Sequence, residues 1–347
     1  MPLRQPYSPC AVQAKPIRDR RLNILPTTLI ILGSATVVSA VIVAVMIKVG
    51  PTDRPNARSS HQQPVPKGGG LGPVIVTLIV LAFLSWSFPH SHELLSVMCG
   101  SLIVAVMALI DDVQNLSFKI KLAAQAAAAA LVVAGGASVS QIGPVPLGVF
   151  GPVLTFCWIV YVTNAVNFMD GINGLVGGTC AIVGLTLLGW DGAVSKLVAL
   201  VLACGLIGFL PFNFPRARIF LGDVGSQFCG FILAVLSITQ WQENEASGLA
   251  LPLALLVLLF DVGVTLVRRL LAGERLTDAH RGHSYQLLHR SGVPAVWVTA
   301  GVWALSAWGA ACAAWATWYA AIPLASAPLV IWTAWAWRRA RARLESW

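Results

Sequence analysis

From residue 24 onward, the chain alternates long apolar runs with short polar connections. The runs approach or exceed the roughly 20 apolar residues that a helix needs to cross a bilayer. The stretch 139–150 instead holds strand-like and turn residues, which predict a short hairpin outside the bilayer, on the periplasmic side. The pattern predicts an all-α polytopic membrane protein with about eleven transmembrane helices, near residues 24–47, 70–88, 93–110, 119–138, 151–168, 175–190, 194–212, 225–241, 249–270, 293–316 and 318–337.

Composition supports this fold class, because 57% of the residues are hydrophobic, 11% are charged and the mean hydropathy is +0.76. A soluble protein carries about 25% charged residues, so most of this surface must face lipid. The seven cysteines form no CxxC pair, which argues against a disulfide framework or a metal cluster. We divide the chain into an N-terminal basic tail (1–23), a single transmembrane catalytic domain (24–337) and a cytoplasmic basic tail (338–347).

The formal net charge of +9 comes from basic residues in short loops, a pattern that orients membrane proteins and shows no nucleic-acid-binding module. Threading eleven spans puts 17 of the 23 Lys and Arg residues on one side, which should be the cytoplasm. The basic N-terminal tail falls on the other side. Either downstream charges dominate, a span is miscounted, or the true start lies further along. The loops on the predicted cytoplasmic side carry nearly all groups capable of chemistry.

Two of these loops precede residue 126. The first, RSSHQQPVPKGGGLG, has three glycines that let the backbone approach a ligand closely and Lys67 to bind phosphate; a flexible connector is the alternative. The second, ALIDDVQNLSFKIKLAAQ, places Asp111 and Asp112 at the end of a span, where unpaired charge is costly. Hard carboxylate oxygens at a phosphate site suit Mg²⁺. Lys119 and Lys121 either serve phosphate or mark the membrane interface.

Two further loops carry amides and carboxylates. In NAVNFMDGINGLVGG, Asn164, Asn167, Asp170 and Asn173 recur every three residues and would form one polar face at a helix end. In FNFPRARIFLGDVGSQ, Asn213 is a candidate substrate-binding residue, and Phe220 either stacks on a base or anchors the interface. Asp223 is either a helix N-cap or a metal ligand near helix N–H groups.

The fifth loop, within 261–292, concentrates His280, Arg281 and His283. Two histidines three residues apart lack a third ligand at zinc spacing, so recognition of a pyrophosphate is the favoured interpretation. Asp261 lies mid-span, where internal pairing or packing near the site is its expected role.

Together, the five loops resemble the polyprenyl-phosphate N-acetylhexosamine-1-phosphate transferase family, with all motifs in order between Arg58 and Gly292. The resemblance implies an acidic centre around Mg²⁺, with Mn²⁺ as a substitute, and an HRGH loop that contacts the nucleotide pyrophosphate. DGING stands where many members read DGIDG, and AHRGHSYQ resembles the branch that initiates O-antigen or other surface polysaccharides. The candidates are Asp111, Asp112 and Asp170 as catalytic residues, Asp112 and Asp223 as metal ligands, and Lys67, Asn164, Asn167, Asn173, Asn213, Phe220, His280, Arg281 and His283 as substrate-binding residues.

The implied reaction transfers a sugar 1-phosphate from a UDP-sugar to a polyprenyl phosphate at the inner face of a bacterial cytoplasmic membrane. In the preferred hypothesis, Asp112 and Asp223 hold Mg²⁺ and Asp111 acts as the base; a two-step route through an aspartyl-phosphate is the alternative. The expected partners are both substrates and the lipid bilayer, without nucleic acid and with a homodimer left open. An ion-coupled transporter is the main rival function, and a non-catalytic membrane scaffold is the third.

Overall fold

A computed structural model describes residues 21–53, 64–275 and 280–344, so most of the N-terminal tail lies outside the described residues. It shows a helical bundle, as the apolar runs predict. The helices are α1 (Arg21–Val49), α2 (Leu71–Ser87), α3 (His92–Gln114), α4 (Phe118–Ala134), α5 (Phe150–Phe168), α6 (Leu175–Thr186), α7 (Ala193–Asn213), α8 (Gly222–Glu243), α9 (Glu245–Gly248), α10 (Ala250–Leu271), α11 (Ser284–Arg290), α12 (Ala295–Trp315) and α13 (Trp318–Arg343).

All eleven predicted apolar runs coincide with helices, and the all-α membrane fold class is confirmed. Eight helices in the described part of the chain are long and apolar enough to cross a membrane. The helices α2, α4 and α6 are shorter, with 17, 17 and 12 residues. The number of helices that cross the bilayer therefore stays a prediction.

The helix α8 forms the centre of the bundle. The most apolar stretch of α8 is 83% buried, against 17% for that of α1, and α8 packs against both α3 and α5. Small residues permit this contact, since a Cβ on Gly230 would lie 2.8 Å from the Cα of Thr163 in α5. Close approach of helix backbones at small residues is typical of membrane proteins. The part of α8 between Val224 and Gln240 is therefore largely enclosed by protein.

Two short antiparallel hairpins lie outside the helices. Strands β1 (Thr52–Asp53) and β2 (Val65–Pro66) pair beside the start of α2. Strands β3 (Gln141–Ile142) and β4 (Val145–Pro146) form the predicted hairpin between α4 and α5. Glu245 holds this second hairpin, because its carboxylate accepts hydrogen bonds from the Gln141 side chain and the Gly143 backbone, both at 3.0 Å.

One expectation about the end of α5 needs correction. The helix ends at Phe168, as the apolar run predicts, but Asp170 and Asn173 lie in the following turn and do not extend the polar face of the helix. Gly174 closes that turn as the N-cap of α6, with a φ of +75° that glycine adopts without strain. At the C-terminus, α13 continues through Arg343, so the basic residues from 338 onward lie in its last turns.

Candidate active site

A lysine joins two of the predicted carboxylates. The Nζ of Lys121 lies 2.8 Å from Oδ2 of Asp111 and 3.3 Å from Oδ2 of Asp223. The turn between α3 and α4 makes this possible, because Asn115 adopts a left-handed conformation (φ 52°) and Asp111 Oδ1 accepts the Leu116 backbone N–H at 2.6 Å. Three helices thus bring their polar ends together. The sequence raised Lys121 only as an alternative and did not include it among the site residues.

Asp112 caps the start of α8. Its two carboxylate oxygens accept the backbone N–H groups of Asp223 and Val224 at 3.0 and 3.1 Å. The first N–H groups of a helix have no partner within the helix, and its N-terminus carries partial positive charge, so a carboxylate there is stabilised. Gly222 is required at this contact: it has a φ of +78°, and a Cβ would lie 2.6 Å from Asp112 Oδ2.

A chain of amides leads from Asp223 into the bundle. Asn167 donates to Asp223 Oδ1 at 3.1 Å, and Gln227 donates to Oδ2 at 3.2 Å. Gln125 donates to Gln227 at 2.8 Å and accepts from Asn164 at 2.6 Å. The predicted residues Asn164 and Asn167 therefore both belong to this network, one through direct contact with Asp223 and the other through two glutamines. Gln125 and Gln227 were missed, since each lies within an apolar run.

Asp170 differs from the other three aspartates, because no described residue donates a hydrogen bond to its carboxylate. It lies in the turn after α5, close enough to Asp223 and Asp112 for their charges to interact. Burial, with the charges of Asp223 and Asp112, raises the pKa of Asp170 to about 8. This carboxylate thus lacks the counter-charge that Lys121 gives to Asp111 and Asp223.

The glycine loop before α2 packs against protein backbone. The N–H groups of Gly69 and Gly70 donate to the carbonyls of Phe220 and Leu221 at 2.9 and 2.8 Å. A Cβ on Gly70 would collide with the backbone of Gly225. The expectation that these glycines approach a ligand needs correction, because their close approach is to the start of α8. The Nζ of Lys67 lies 3.5 Å from Oδ1 of Asp53. Phe220 is half-buried beside the glycine loop.

Asp261 holds the end of the HRGH loop in place through a hydrogen bond. Its Oδ1 accepts the Ser284 backbone N–H at 2.9 Å and lies 3.8 Å from Nδ1 of His283, which confirms internal pairing for this mid-span carboxylate. Tyr285 is wholly buried and donates to the carbonyl of Phe168 at 3.3 Å, beside the turn that carries Asp170. The loop is therefore fastened to the acidic end of the bundle through Tyr285.

The first two residues of the HRGH motif are more exposed than its last residue, His283. His280 and Arg281 are half-buried, whereas His283 is buried. The rings of His280 and His283 lie 4.9 Å apart. Burial, followed by the charges of His283, Arg269 and Arg268, lowers the pKa of His280 to about 4. An uncharged His280 can still donate or accept a hydrogen bond at neutral pH.

Two predicted residues lie apart from the carboxylates. Asn213 is buried, and both polar atoms of its side-chain amide form hydrogen bonds with the backbone. Its Oδ1 accepts from the Gly174 N–H at 2.6 Å, and its Nδ2 donates to the Ile219 carbonyl at 2.9 Å. Asn173 donates to the Pro215 carbonyl at 3.2 Å. Both side chains tie the turn after α5 to the loop before α8.

Comparison with known proteins identifies the family. Residues 94–240, which include all four aspartates and Lys121, match the family model described as "Glycosyl transferase family 4". The undecaprenyl-phosphate alpha-N-acetylglucosaminyl 1-phosphate transferase of Escherichia coli (strain K12) is 30% identical over 263 residues, 71% of each chain. The chain belongs to the polyprenyl-phosphate N-acetylhexosamine-1-phosphate transferases.

Two other members of this transferase family extend the comparison. A probable undecaprenyl-phosphate N-acetylglucosaminyl 1-phosphate transferase of Bacillus subtilis (strain 168) is 28% identical over 309 residues, 83% of this chain and 85% of that protein. A decaprenyl-phosphate N-acetylglucosaminephosphotransferase of Mycobacterium leprae (strain TN) is 29% identical over 299 residues, 73% and 75% of the two chains. The similarity thus covers most of the length of each transferase.

The residues at this site fit a magnesium ion. Within the described ranges, no three His, Cys, Asp or Glu side chains form a ready metal cluster. Mg²⁺ does not need one, because it is usually held by one or two carboxylates together with substrate phosphates and water. The cluster offers hard oxygen ligands, and the Asp170 carboxylate has no hydrogen-bond donor among the described residues. The donor set therefore suits a cation that Asp223 and Asp112 would hold together with substrate phosphates.

Proposed function

We propose that this transferase moves an N-acetylated hexosamine 1-phosphate, or its 6-deoxy form, from a UDP-sugar to undecaprenyl phosphate. The reaction would be the first membrane step of O-antigen or another cell-surface polysaccharide. The observation that carries the proposal is the grouping of four aspartates, two of them paired with Lys121, at one end of the bundle. We place this end at the cytoplasmic face of the bacterial inner membrane, because its loops carry most of the basic residues.

The exchange balances without a redox step. An oxygen of the lipid phosphate forms a bond to the β-phosphorus of the UDP-sugar, and the bond from that phosphorus to the oxygen of the α-phosphate breaks. UMP leaves with the electron pair. Mg²⁺, held by Asp112 and Asp223, would neutralise phosphate charge when bound. Lys121 adds a fixed positive charge between Asp111 and Asp223, where the anionic substrates must meet.

Two aspartates compete for the role of general base. Asp111 is the preferred candidate from sequence, but its two oxygens already accept hydrogen bonds from Leu116 and Lys121. Asp170 accepts none from described residues, and its pKa of about 8 lies close to neutral pH, where a general base is most effective. We expect Asp170→Asn to lose turnover with donor binding retained. Near-normal turnover in Asp170→Asn together with a loss in Asp111→Asn returns the role to Asp111.

We assign recognition of the UDP-sugar to the HRGH loop. His280 and Arg281 are half-buried and border the acidic end, so we assign the nucleotide pyrophosphate to them. His283 is buried against Asp261, so its role in this proposal is to hold the loop in place. Phe220 and Lys67 flank the glycine loop and are assigned to the base and to a phosphate.

One assay tests the reaction and the sugar together. Purified protein in detergent receives undecaprenyl phosphate, Mg²⁺ or Mn²⁺ and a panel of UDP-sugars, and UMP release is measured with and without EDTA. We expect UMP from one N-acetylated donor, dependent on both lipid and metal. Absence of UMP across the panel, from protein that unfolds cooperatively, contradicts the proposal.

A further inference from the structure

The Asp170 carboxylate depends on its backbone for its position. The other three aspartates of the acidic cluster accept hydrogen bonds that fix their oxygens. No described residue donates a hydrogen bond to Asp170. A carboxylate without such partners lies where its own turn places it. The contacts that hold the turn 169–174 therefore decide where the Asp170 carboxylate lies.

This turn has little rigidity of its own. It follows the end of α5 at Phe168 and precedes the start of α6 at Leu175, and it contains Gly171 and Gly174. Glycine has no Cβ to restrict its backbone, so a turn with two glycines has many accessible conformations. Contacts from other elements must select one of them.

Helix α12 provides two of these contacts. The hydroxyl of Thr299, which is fully buried, donates to the carbonyl of Asn173 at 3.0 Å. The indole N–H of Trp303 donates to the carbonyl of Gly174 at 3.1 Å. Residues four apart lie on one face of a helix, so a single face of α12 holds two consecutive carbonyls of the turn.

The indole ring of Trp303 also packs closely beside the turn. A Cβ on Gly178 in α6 would collide with this ring. The ring of Phe214 lies 4.8 Å from it between centroids, and a Cβ on Gly174 would lie 2.6 Å from Phe214. Trp303 is therefore both packed and hydrogen-bonded, which fixes the direction of its N–H.

The other end of the turn is attached to a different element. Tyr285 of the HRGH loop donates to the carbonyl of Phe168, and its hydroxyl lies against Gly171. Asp170 thus lies between an attachment to the HRGH loop and an attachment to α12. Helix α12 lies beyond the residues 94–240 that match the family model, so the match itself assigns it no role.

We propose that Thr299 and Trp303 are positioning residues that hold the Asp170 carboxylate at the reaction centre. They act through the backbone of the turn and touch no reacting atom. A displacement of about 1 Å at a catalytic group can cost about 10²-fold in rate, so loss of both attachments should be measurable. This inference rests on the proposed role of Asp170 as the general base.

Substitutions that remove only the two donors test this inference. Thr299→Val keeps the branched shape of the side chain and Trp303→Phe keeps an aromatic ring, but neither new side chain can donate to the turn. The double variant should lower kcat for UMP release by about tenfold and leave KM for the UDP-sugar unchanged. Ser306→Ala/Trp308→Phe is the matched control, because these residues of α12 donate to carbonyls in α10 and α13 instead.

A cycle with Asp170→Asn separates positioning from a loss of folded protein. Residues that act through one group are not additive, so Thr299→Val/Trp303→Phe should have no further effect on the residual UMP release of Asp170→Asn. The same tenfold loss in that background overturns the inference, and so does an unchanged kcat in the native background. Near-normal turnover in Asp170→Asn alone contradicts the base role itself, which distinguishes failure of the proposed function from failure of the positioning role.

Amide hydrogen exchange gives a readout that does not depend on activity. Exchange in the turn 169–174 should be faster in Thr299→Val/Trp303→Phe than in the native protein, and unchanged in the control variant. Thermal unfolding checks that each variant folds, and Trp303→Phe alone replaces the double variant if the latter does not. Unchanged exchange in the turn overturns the inference even where the residual turnover of Asp170→Asn is too low for the cycle.

Discussion

The two ends of α8 bury polar side chains in different ways. At the N-terminal end, Asp223 accepts hydrogen bonds from Asn167, Gln227 and Lys121. At the C-terminal end, Gln240 is more deeply buried than Asp223 but has no hydrogen-bond partner within the described ranges. Within one helix, the first end joins its carboxylate to three neighbouring side chains, and the second leaves an amide without a partner among the described residues. The contrast shows that burial and hydrogen bonding vary independently along one helix, so each polar group needs its own account.

The largest difference between the ends should appear in catalysis. We expect Asp223→Asn to lower UMP release by about 10³-fold, because it removes a charge from the centre of the acidic cluster. Glu243→Gln, at the other end of the same helix, should leave UMP release in detergent unchanged. A loss of activity in both variants, with intact folding, would mean that the two ends are not functionally separate.

The glycine contact at the acidic end should be next in size. A methyl group at Gly70 would meet the backbone of Gly225, so Gly70→Ala should lower the free energy of unfolding by about 1–3 kcal/mol. Gly33→Ala is the control, because a Cβ on Gly33 in α1 meets no atom within 4 Å. Thermal unfolding of both variants measures the effect. Equal stability would show that the loop shifts without cost.

Two glutamine substitutions compare the ends directly. Gln227→Leu breaks the chain between Gln125 and Asp223 and should cost about 1 kcal/mol, a typical value for a hydrogen bond between membrane helices. Gln240→Leu removes an amide without a hydrogen-bond partner in the described part of the chain and should leave the protein as stable or more stable. The unfolding temperatures of the two variants give the order. The reverse order would contradict the contrast between the ends.

The smallest expected effect concerns pH. The pKa of His280 is lowered to about 4 in the folded protein, below its ordinary value near 6.5, so the unfolded chain binds the proton more readily. Stability from this group is present above pH 6.5 and is lost as the pH falls toward 4. The unfolding temperature of the native protein should therefore fall more across that window than that of His280→Asn. Parallel curves for the two proteins would rule out this contribution.

The fold was largely predictable because a membrane helix must be long and apolar, and both properties are local. All eleven apolar runs became helices, and the run of turn residues at 139–150 became the hairpin. The place of Asp170 and Asn173 was misjudged, since a spacing of three residues fits either a helix or a turn. The turn is visible only in the folded chain, where α5 ends at Phe168 and Gly174 caps the start of α6.

The acidic cluster was predictable in its members and not in its contacts. Aspartates at the ends of apolar runs stand out, because an unpaired charge there is costly. The contact of Lys121 with Asp223 joins residues 102 apart in sequence, which a single chain without structure cannot show. Gln125 and Gln227 were hidden by their apolar neighbours. For the glycine loop, the sequence left a ligand contact and a flexible connector open, because glycine permits close approach to any partner, backbone included.

The hairpin of β3 and β4 makes this small membrane protein accessible to imaging. Both Gly143 and Gly148 have open space around the position of a side chain, and Glu245 holds the hairpin to the bundle from the start of α9. A rigid domain grafted between Ile142 and Val145 would project from the end opposite the acidic cluster. It would supply the external mass that electron cryomicroscopy needs for particle alignment and leave the catalytic end free for substrates.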